Sequence, residues 1–310
     1  MAPIIPMEPL SSRSIPEGDD WIAQIKWDGV RVLTYFDGDT VRLFNRKKNE
    51  RTAHYPEIID IHAYCQADSV ILDGEVVALG MNGKPSFHEV MRRDGIRDLQ
   101  RMPTMKKEVP IYYMLFDVVF FNGVWLIRES LRKRLEVLSA ILLPNPIVHL
   151  VKTEADGKTL FDVVKAQGME GIVAKRLDAP YIIGQKKHWV KVKNYQDLIA
   201  VVGGFTKKDG RVNALLLGLY DTNGALRYIG HAGQGKLAQD EWRLLTDKLL
   251  TMTKKHRSFV AGMVNVKEGY WVEPLFTVKV QYIEWTPDGS LRQPTIQALT
   301  SDPPDACVFS

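Results

Sequence analysis

The texture of the chain changes after Asn194, and that change limits the possible fold more than any single motif. Before it, alternating or β-branched stretches (WIAQIKW, VRVLTYF, TVRLF, SVILDGEVVAL, VPIYYMLFDVVFF, EGIVAKR, HWVKVK) are interleaved with helix-like segments. A period of two sends successive side chains to opposite faces, so these stretches predict strands. Asp37-Gly38-Asp39, Met81-Asn82-Gly83 and Asn122-Gly123 supply turns. Pro56 suits a first helical position and predicts a helix through EIIDIHAYC, while Ser86 followed by Glu89 is a capping box for a short helix. SLRKRLEVLSAIL and TLFDVVKAQ predict two more. The fold class read from this order is α+β, with mostly antiparallel sheets. After Asn194, LIAVVGGF, NALLLGLY, LRYIGHA and FTVKVQYIEW are short strands parted by glycine or polar turns, with one amphipathic helix near LAQDEWRLLTDKLL. About five strands and one helix suit a small OB-fold β-barrel, an architecture that often carries nucleic acid. The predicted domains are therefore 1–195 and 196–310.

At 310 residues, 45% hydrophobic and 25% charged, the chain can bury two modest cores. No apolar run approaches the roughly 20 residues of a membrane span. The opening MAPIIPMEPLSSRSIPEG lacks a cationic start followed by an apolar stretch, so a cytoplasmic protein is the expectation. Two cysteines, Cys65 and Cys307, exclude a disulfide framework and a zinc knuckle. The net charge of +4 does not by itself require a polyanion, but the basic residues are clustered at 46–51, 132–134, 186–193 and 254–257. Only the third cluster, KKHWVKVK, with Trp189 between lysines, is patterned for a ligand.

The chemistry begins at Lys26-Trp27-Asp28-Gly29-Val30-Arg31, a K-x-D-G-x-R element. A lysine amine is a nucleophile only when neutral, which near pH 7 requires nearby cations, a metal or desolvation. Asp28 could bind a hydrated metal or orient the amine, Gly29 would let backbone approach a phosphate, and Arg31 could hold sugar or phosphate. Taken alone, the element reads equally well as a charged turn between strands. Further on, Glu75 lies in LDGEVVAL, Phe116 in MLFDVVFFNG and Glu170 in EGIVAK. Strand alternation places Lys191 and Lys193 on one face of WVKVK. Two separated glutamates could hold a divalent cation beside a triphosphate.

In this ordered set the chain resembles the ATP-dependent DNA ligases, close to the ligase module of bacterial end-joining and repair enzymes. The likeness runs from Pro6-Met7 to about Pro303, through IKWDGVR, LDGEVVAL, LFDVVFFNG, EGIVAK, YIIGQKKHWVKVK, VVGGFT and IEWTPDGSLRQP. It implies a nucleotidyltransferase (adenylation) domain followed by the OB-fold barrel. It also implies that Lys26 attacks the α-phosphate of ATP to give a lysyl-AMP. Arg31, Arg46 and Glu75 would contact the ribose and phosphate neighbourhood, and Phe116 would stack on adenine. Glu75 and Glu170 would place a divalent metal, Mg2+ or Mn2+, and Lys191 and Lys193 would stabilise charge at the α-phosphate. The implied partners are nicked double-stranded DNA and end-joining or repair proteins, with the chain acting as a monomer.

Two positions depart from the family pattern. Where the family has a glutamate accepting from the adenine amine, this chain has Gln24, whose carbonyl can still accept. Where the family ends on R-x-D-K, with cations for the leaving pyrophosphate, this chain has Thr300-Ser301-Asp302-Pro303. That loss implies slow self-adenylation unless Arg292 or the KKHR cluster substitutes. The alternatives are an RNA ligase or capping-type nucleotidyltransferase, or a weakly active nucleic-acid-binding relic.

Overall fold

The computed structural model of the chain describes residues 1–260 and 269–309. It divides into two compact units, Met1–Asn194 and Tyr195–Ser310. Among the described residues, no helix is long and apolar enough to cross a membrane.

The first unit runs β1 (Glu8–Ser12), β2 (Trp21–Ile25), β3 (Val30–Phe36), β4 (Val41–Asn45), β5 (Val70–Ala78), α1 (Phe87–Asp94), α2 (Met102–Glu108), β6 (Ile111–Phe121), β7 (Val124–Trp125), α3 (Leu131–Ile141), β8 (Val148–Leu150), α4 (Gly157–Ala166), β9 (Gly171–Arg176) and β10 (Lys186–Lys193). One sheet has the order β1-β10-β9-β2; the other is β4-β3-β5-β6-β7, with β8 beside β6. Pairing is antiparallel except for β1 with β10 and β6 with β8. Val32, Leu72, Val76, Tyr113 and Leu115 lie in the core under the second sheet. Removing each such side chain from water contributes about 1.5–3 kcal/mol. Helix starts follow the capping chemistry, with Ser86, Ser130 and Asp156 accepting from the first turns of α1, α3 and α4.

The helix expected from Pro56 is not formed. Residues 52–63 make three separate 3-10 turns instead, Thr52–His54, Pro56–Ile58 and Ile61–Ala63, none with a side-chain cap. The reason lies in the spacing. Tyr55, Ile58, Ile61 and Tyr64 are all buried, and an interval of three eclipses side chains on a helix of three residues per turn. Helix α2 had no counterpart in the sequence reading. The proline-rich opening supplies strand β1.

In the second unit the elements are β11 (Gln196–Lys208), β12 (Arg211–Tyr220), β13 (Leu226–Ala232), α5 (Gln239–Thr251), β14 (Thr253–Lys254), β15 (Gly269–Tyr282) and β16 (Thr295–Thr300). They form an antiparallel sheet in the order β13-β12-β11-β15-β14, with β16 on β15, one strand more than expected. The sheet curls into a half-barrel whose far side is bridged by Leu291 N to Ile229 O (2.7 Å) and Lys236 N to Ile296 O (2.8 Å). Phe259 fills its interior against two glycines. A Cβ on Gly203 would come within 2.5 Å of that ring, and one on Gly218 within 2.7 Å.

Candidate active site

Lys26 leaves the end of β2 with its backbone N–H donating to Gly171 O at 2.9 Å. Its Nζ lies 2.5 Å from Glu170 Oε2, and Lys193 Nζ lies 3.4 Å from Glu170 Oε1. A single, nearly buried carboxylate thus joins two lysines that are far apart in sequence. Lys191 shares the strand face of Lys193. Burial, then the charges of Lys193 and Lys26, holds its amine below the ordinary lysine range.

Glu75 completes this cluster. Burial pushes its carboxyl up to about 8, against the pull of Lys26 and Arg31, and Glu170 and Asp73 add to the rise. A carboxyl raised from 4.5 contributes stability that is full below about pH 4.5 and lost as pH rises through about 8. The Tm of the nucleotide-free protein, measured relative to Glu75→Gln, is therefore expected to fall between about pH 6 and pH 9. A constant difference would reject this environment for Glu75.

Two glycines make the cluster possible. Gly29 does not face an open phosphate site: a Cβ there would collide with Val76 O and lie 3.0 Å from Glu75 Cγ. Gly171, at φ 145°, is pressed against Val192 O in the same way. Each lets the chain carrying one site residue pass close to the strand that carries or flanks another. Asp28, beside Gly29, is buried.

Phe116 occupies a β-bulge. Gly74 pairs with Leu115 and Asp73 with Asp117, so Phe116 is the extra residue of β6. A bulge of this kind re-aims a side chain, here one that is half-buried between core neighbours. On the far side Asp117 pairs with Arg134 through bonds of 2.7 and 3.1 Å, both side chains fully buried. Gln24 is buried on β2 opposite Val173, and its Nε2 donates to Thr153 Oγ1 at 3.4 Å, leaving its carbonyl as an acceptor.

Arg31 is tied more tightly than the sequence suggests. Its guanidinium donates to Asp73 at 2.8 and 2.5 Å, to Met7 O at 2.6 Å and to Tyr181 Oη at 3.3 Å. It also lies 5.3 Å from the Phe116 ring centroid. Asp73 and Tyr181, both buried, were not singled out in the sequence. Asp73 had a signal, since it stands two residues before Glu75 on one strand; Tyr181 had none. Trp189, expected to face a ligand, is only 2% exposed and packs edge-on against Phe116 and Tyr181. The residue before it, His188, has φ 62°, and the β1–β10 register shifts alongside. From Trp189 to Lys193 the ladder with β9 is regular, so the indole shares the face of Lys191 and Lys193 and is buried there under Phe116 and Tyr181.

The two units were compared with known proteins. Residues 11–193 match the family profile described as ATP dependent DNA ligase domain, and residues 208–303 match ATP dependent DNA ligase C terminal region. The chain belongs to the ATP-dependent DNA ligase family. It is 33% identical over 209 residues to the SPbeta prophage-derived DNA ligase-like protein LigB of Bacillus subtilis, covering 66% of this chain and 73% of that one. Over 293 residues it is 28% identical to the multifunctional non-homologous end joining DNA repair protein LigD of Mycobacterium tuberculosis. That match covers 92% of this chain but only 37% of the mycobacterial protein's length. A solved structure, mycobacterial DNA ligase D complexed with ATP and MES, superposes with a TM-score of 0.54 at 28% identity, covering 99% of this chain and 98% of that one. The fold class is the ligase one: a nucleotidyltransferase unit with antiparallel sheets, then an OB-type unit. The chain is an ATP-using enzyme that acts on DNA.

Two further positions were singled out in the sequence. Arg46 is 58% exposed in its side chain and lies 3.5 Å from Glu8, which also faces Lys186 at 3.9 Å. The degenerate C-terminal element is tied down by neutral groups. Thr300 Oγ1 donates to Thr277 Oγ1 at 2.8 Å, and Thr277 Oγ1 donates to Asp302 O at 2.8 Å. Three of the suggested substitutes have other partners: Arg292 pairs with Glu284 at 2.6 Å, Lys254 with Glu273 at 3.2 Å, and Arg257 lies over the Trp271 ring at 5.7 Å.

Proposed function

We propose that this ligase seals nicks in duplex DNA through an AMP carried on Lys26. The observation that carries the reading is the joining of Lys26 and Lys193 by Glu170, with Lys191 on the same face. Lys26 Nζ attacks the α-phosphorus of ATP, a P–N bond forms, and the P–O bond to pyrophosphate breaks. The departing proton has an acceptor in Glu170 Oε2, 2.5 Å from the amine. Lys191 and Lys193 lie where negative charge grows on the α-phosphate and stabilise it. A 5′-phosphate oxygen of the nick then takes the AMP, breaking the P–N bond and restoring the lysine. The 3′-hydroxyl then attacks the phosphorus of that 5′-phosphate; the new P–O bond closes the strand and the P–O bond to AMP breaks, releasing AMP. Phe116 stacks on the base, Gln24 accepts from the adenine amine, and Arg31, Asp28 and Arg46 complete the nucleotide contacts.

The residues fit a divalent cation, Mg2+ or Mn2+. Burial and Glu170 disfavour charge on Glu75, a penalty that a bound cation would relieve. Among the described residues no group of three or more His, Cys, Asp or Glu could hold a metal alone, which suits an ion that keeps waters and takes one or two carboxylates plus phosphates. When bound it neutralises phosphate charge. Glu75 and Glu170 would hold it.

The chain is proposed to work as a cytoplasmic monomer beside end-joining or repair proteins. Its grip on DNA rests on phosphate contacts and so depends on salt more than on sequence. The test uses radiolabelled ATP or GTP with metal, followed by nicked DNA or nicked RNA. An acid-labile adduct is expected from ATP alone, chased onto nicked DNA. Equal labelling by GTP, or label that DNA never removes, would sink the reading.

A further inference from the structure

Beside Phe116 lies a buried lysine for which the reaction above has no use. Lys175 is 2% exposed, and among the described residues no carboxylate forms an ion pair with it. Its hydrogen-bond partner is Phe116 O, at a long 3.4 Å. The amine instead lies against two π faces, 4.3 Å from the Phe116 ring centroid and 4.2 Å from that of Trp189. The two rings meet edge-on, centroids 5.9 Å apart and planes at 85°. Burial brings the lysine down to about 7. Asp117 and Asp73 oppose that fall, and Arg31 and Arg134 add to it.

Taking an ammonium out of water without a carboxylate is costly. The quadrupoles of two aromatic faces offset part of that cost, more so where water is excluded. The contact also acts in the other direction. Phe116 sits on a bulge, where ladder hydrogen bonds alone do not fix its direction, and turning its ring away would strip Lys175 of one of its two faces. Trp189 is locked in the core, so the pair has one fixed ring and one that needs fixing.

We propose that Lys175 is a positioning residue for the base of ATP, clamping Phe116 against Trp189 so that the stacking ring is set before the nucleotide arrives. The inference rests on the reading of Phe116 as the adenine platform. Lys175 itself touches neither ATP nor DNA, and its effect belongs in nucleotide binding.

Self-adenylation of the full chain is to be followed at varied ATP for wild type, Lys175→Met, Phe116→Ala and the double variant. Methionine keeps the length and burial while removing the charge. Lys175→Met is expected to raise the half-saturating ATP concentration by about tenfold, with the rate at saturating ATP within about twofold. The double variant is expected to be no worse than Phe116→Ala, because a clamp without its ring has nothing to hold. A merely structural lysine would lower Tm without that coupling. Additive effects, or an unchanged half-saturating concentration in Lys175→Met, overturn the proposal. If Phe116→Ala binds ATP as the wild type does, the adenine reading of Phe116 fails, and the clamp with it. Lys175→Gln, uncharged but still a donor to Phe116 O, takes the place of methionine should that variant not fold.

Discussion

Lys26→Ala is expected to form no adduct with radiolabelled ATP and to leave a nicked duplex open, a loss on the order of 10⁴-fold or more. The same protein is expected to seal a nick whose 5′ end already carries AMP. The final step breaks a bond to AMP on DNA and needs no lysine nucleophile, whereas both earlier steps pass through the Lys26 amine. The substitution is mild for the fold. The Lys26 side chain is 22% exposed, and Glu170 keeps Lys193 as a partner at 3.4 Å. Comparison of ATP-driven sealing with sealing of pre-adenylated DNA therefore separates chemistry from folding. Label persisting in Lys26→Ala would move the nucleophile to another amine. Loss of both activities would mean that the side chain also organises the DNA step.

The double substitution Thr300→Arg with Pro303→Lys should work in the opposite direction, speeding self-adenylation by roughly 10²-fold. It restores the two cations that the family uses on the leaving pyrophosphate. Thr300 would lose its bond to Thr277, at a cost of about 1 kcal/mol. Pro303 lies on the surface before a 3-10 turn and has no N–H to lose. Sealing of pre-adenylated DNA should stay unchanged, since no pyrophosphate leaves in that step. An unchanged labelling rate would show that other cations, or the metal, already serve the leaving group.

The strands were legible because apolar and β-branched runs such as VRVLTYF and SVILDGEVVAL suit strands buried on both faces, as β3 and β5 are over most of their lengths. The stretch after Pro56 misled because hydrophobic spacing of three resembles a helical stripe over so short a run. The grouping of Lys26, Glu170 and Lys193 was legible only as an ordered set, since nothing local in any of the three segments tells which carboxylate meets which amine. Register supplies that answer. The bulge at Phe116 arises from a mismatch between paired strands, which a single strand's pattern does not record, and the burial of Trp189 and Lys175, direct partners in a regular ladder, depends on the rings packed over their face. Arg31 was singled out for its chemistry, but its bonds to Asp73 and Met7 depend on chain packing that a motif does not encode.

Gly29 and Gly171 bear on how a saturation mutagenesis of this ligase should be interpreted. Both would tolerate almost no replacement, and each adjoins or nearly adjoins a reactive side chain, so a screen scored only by survival would group them with Lys26 and Glu170. Their intolerance is one of clearance: the space a methyl group would need is already filled by a neighbouring carbonyl. Proteins altered there should fail by misplacing the reactive groups, with their acid–base chemistry left intact. Because the obstacle is main chain, no side-chain change in the opposing strand removes it.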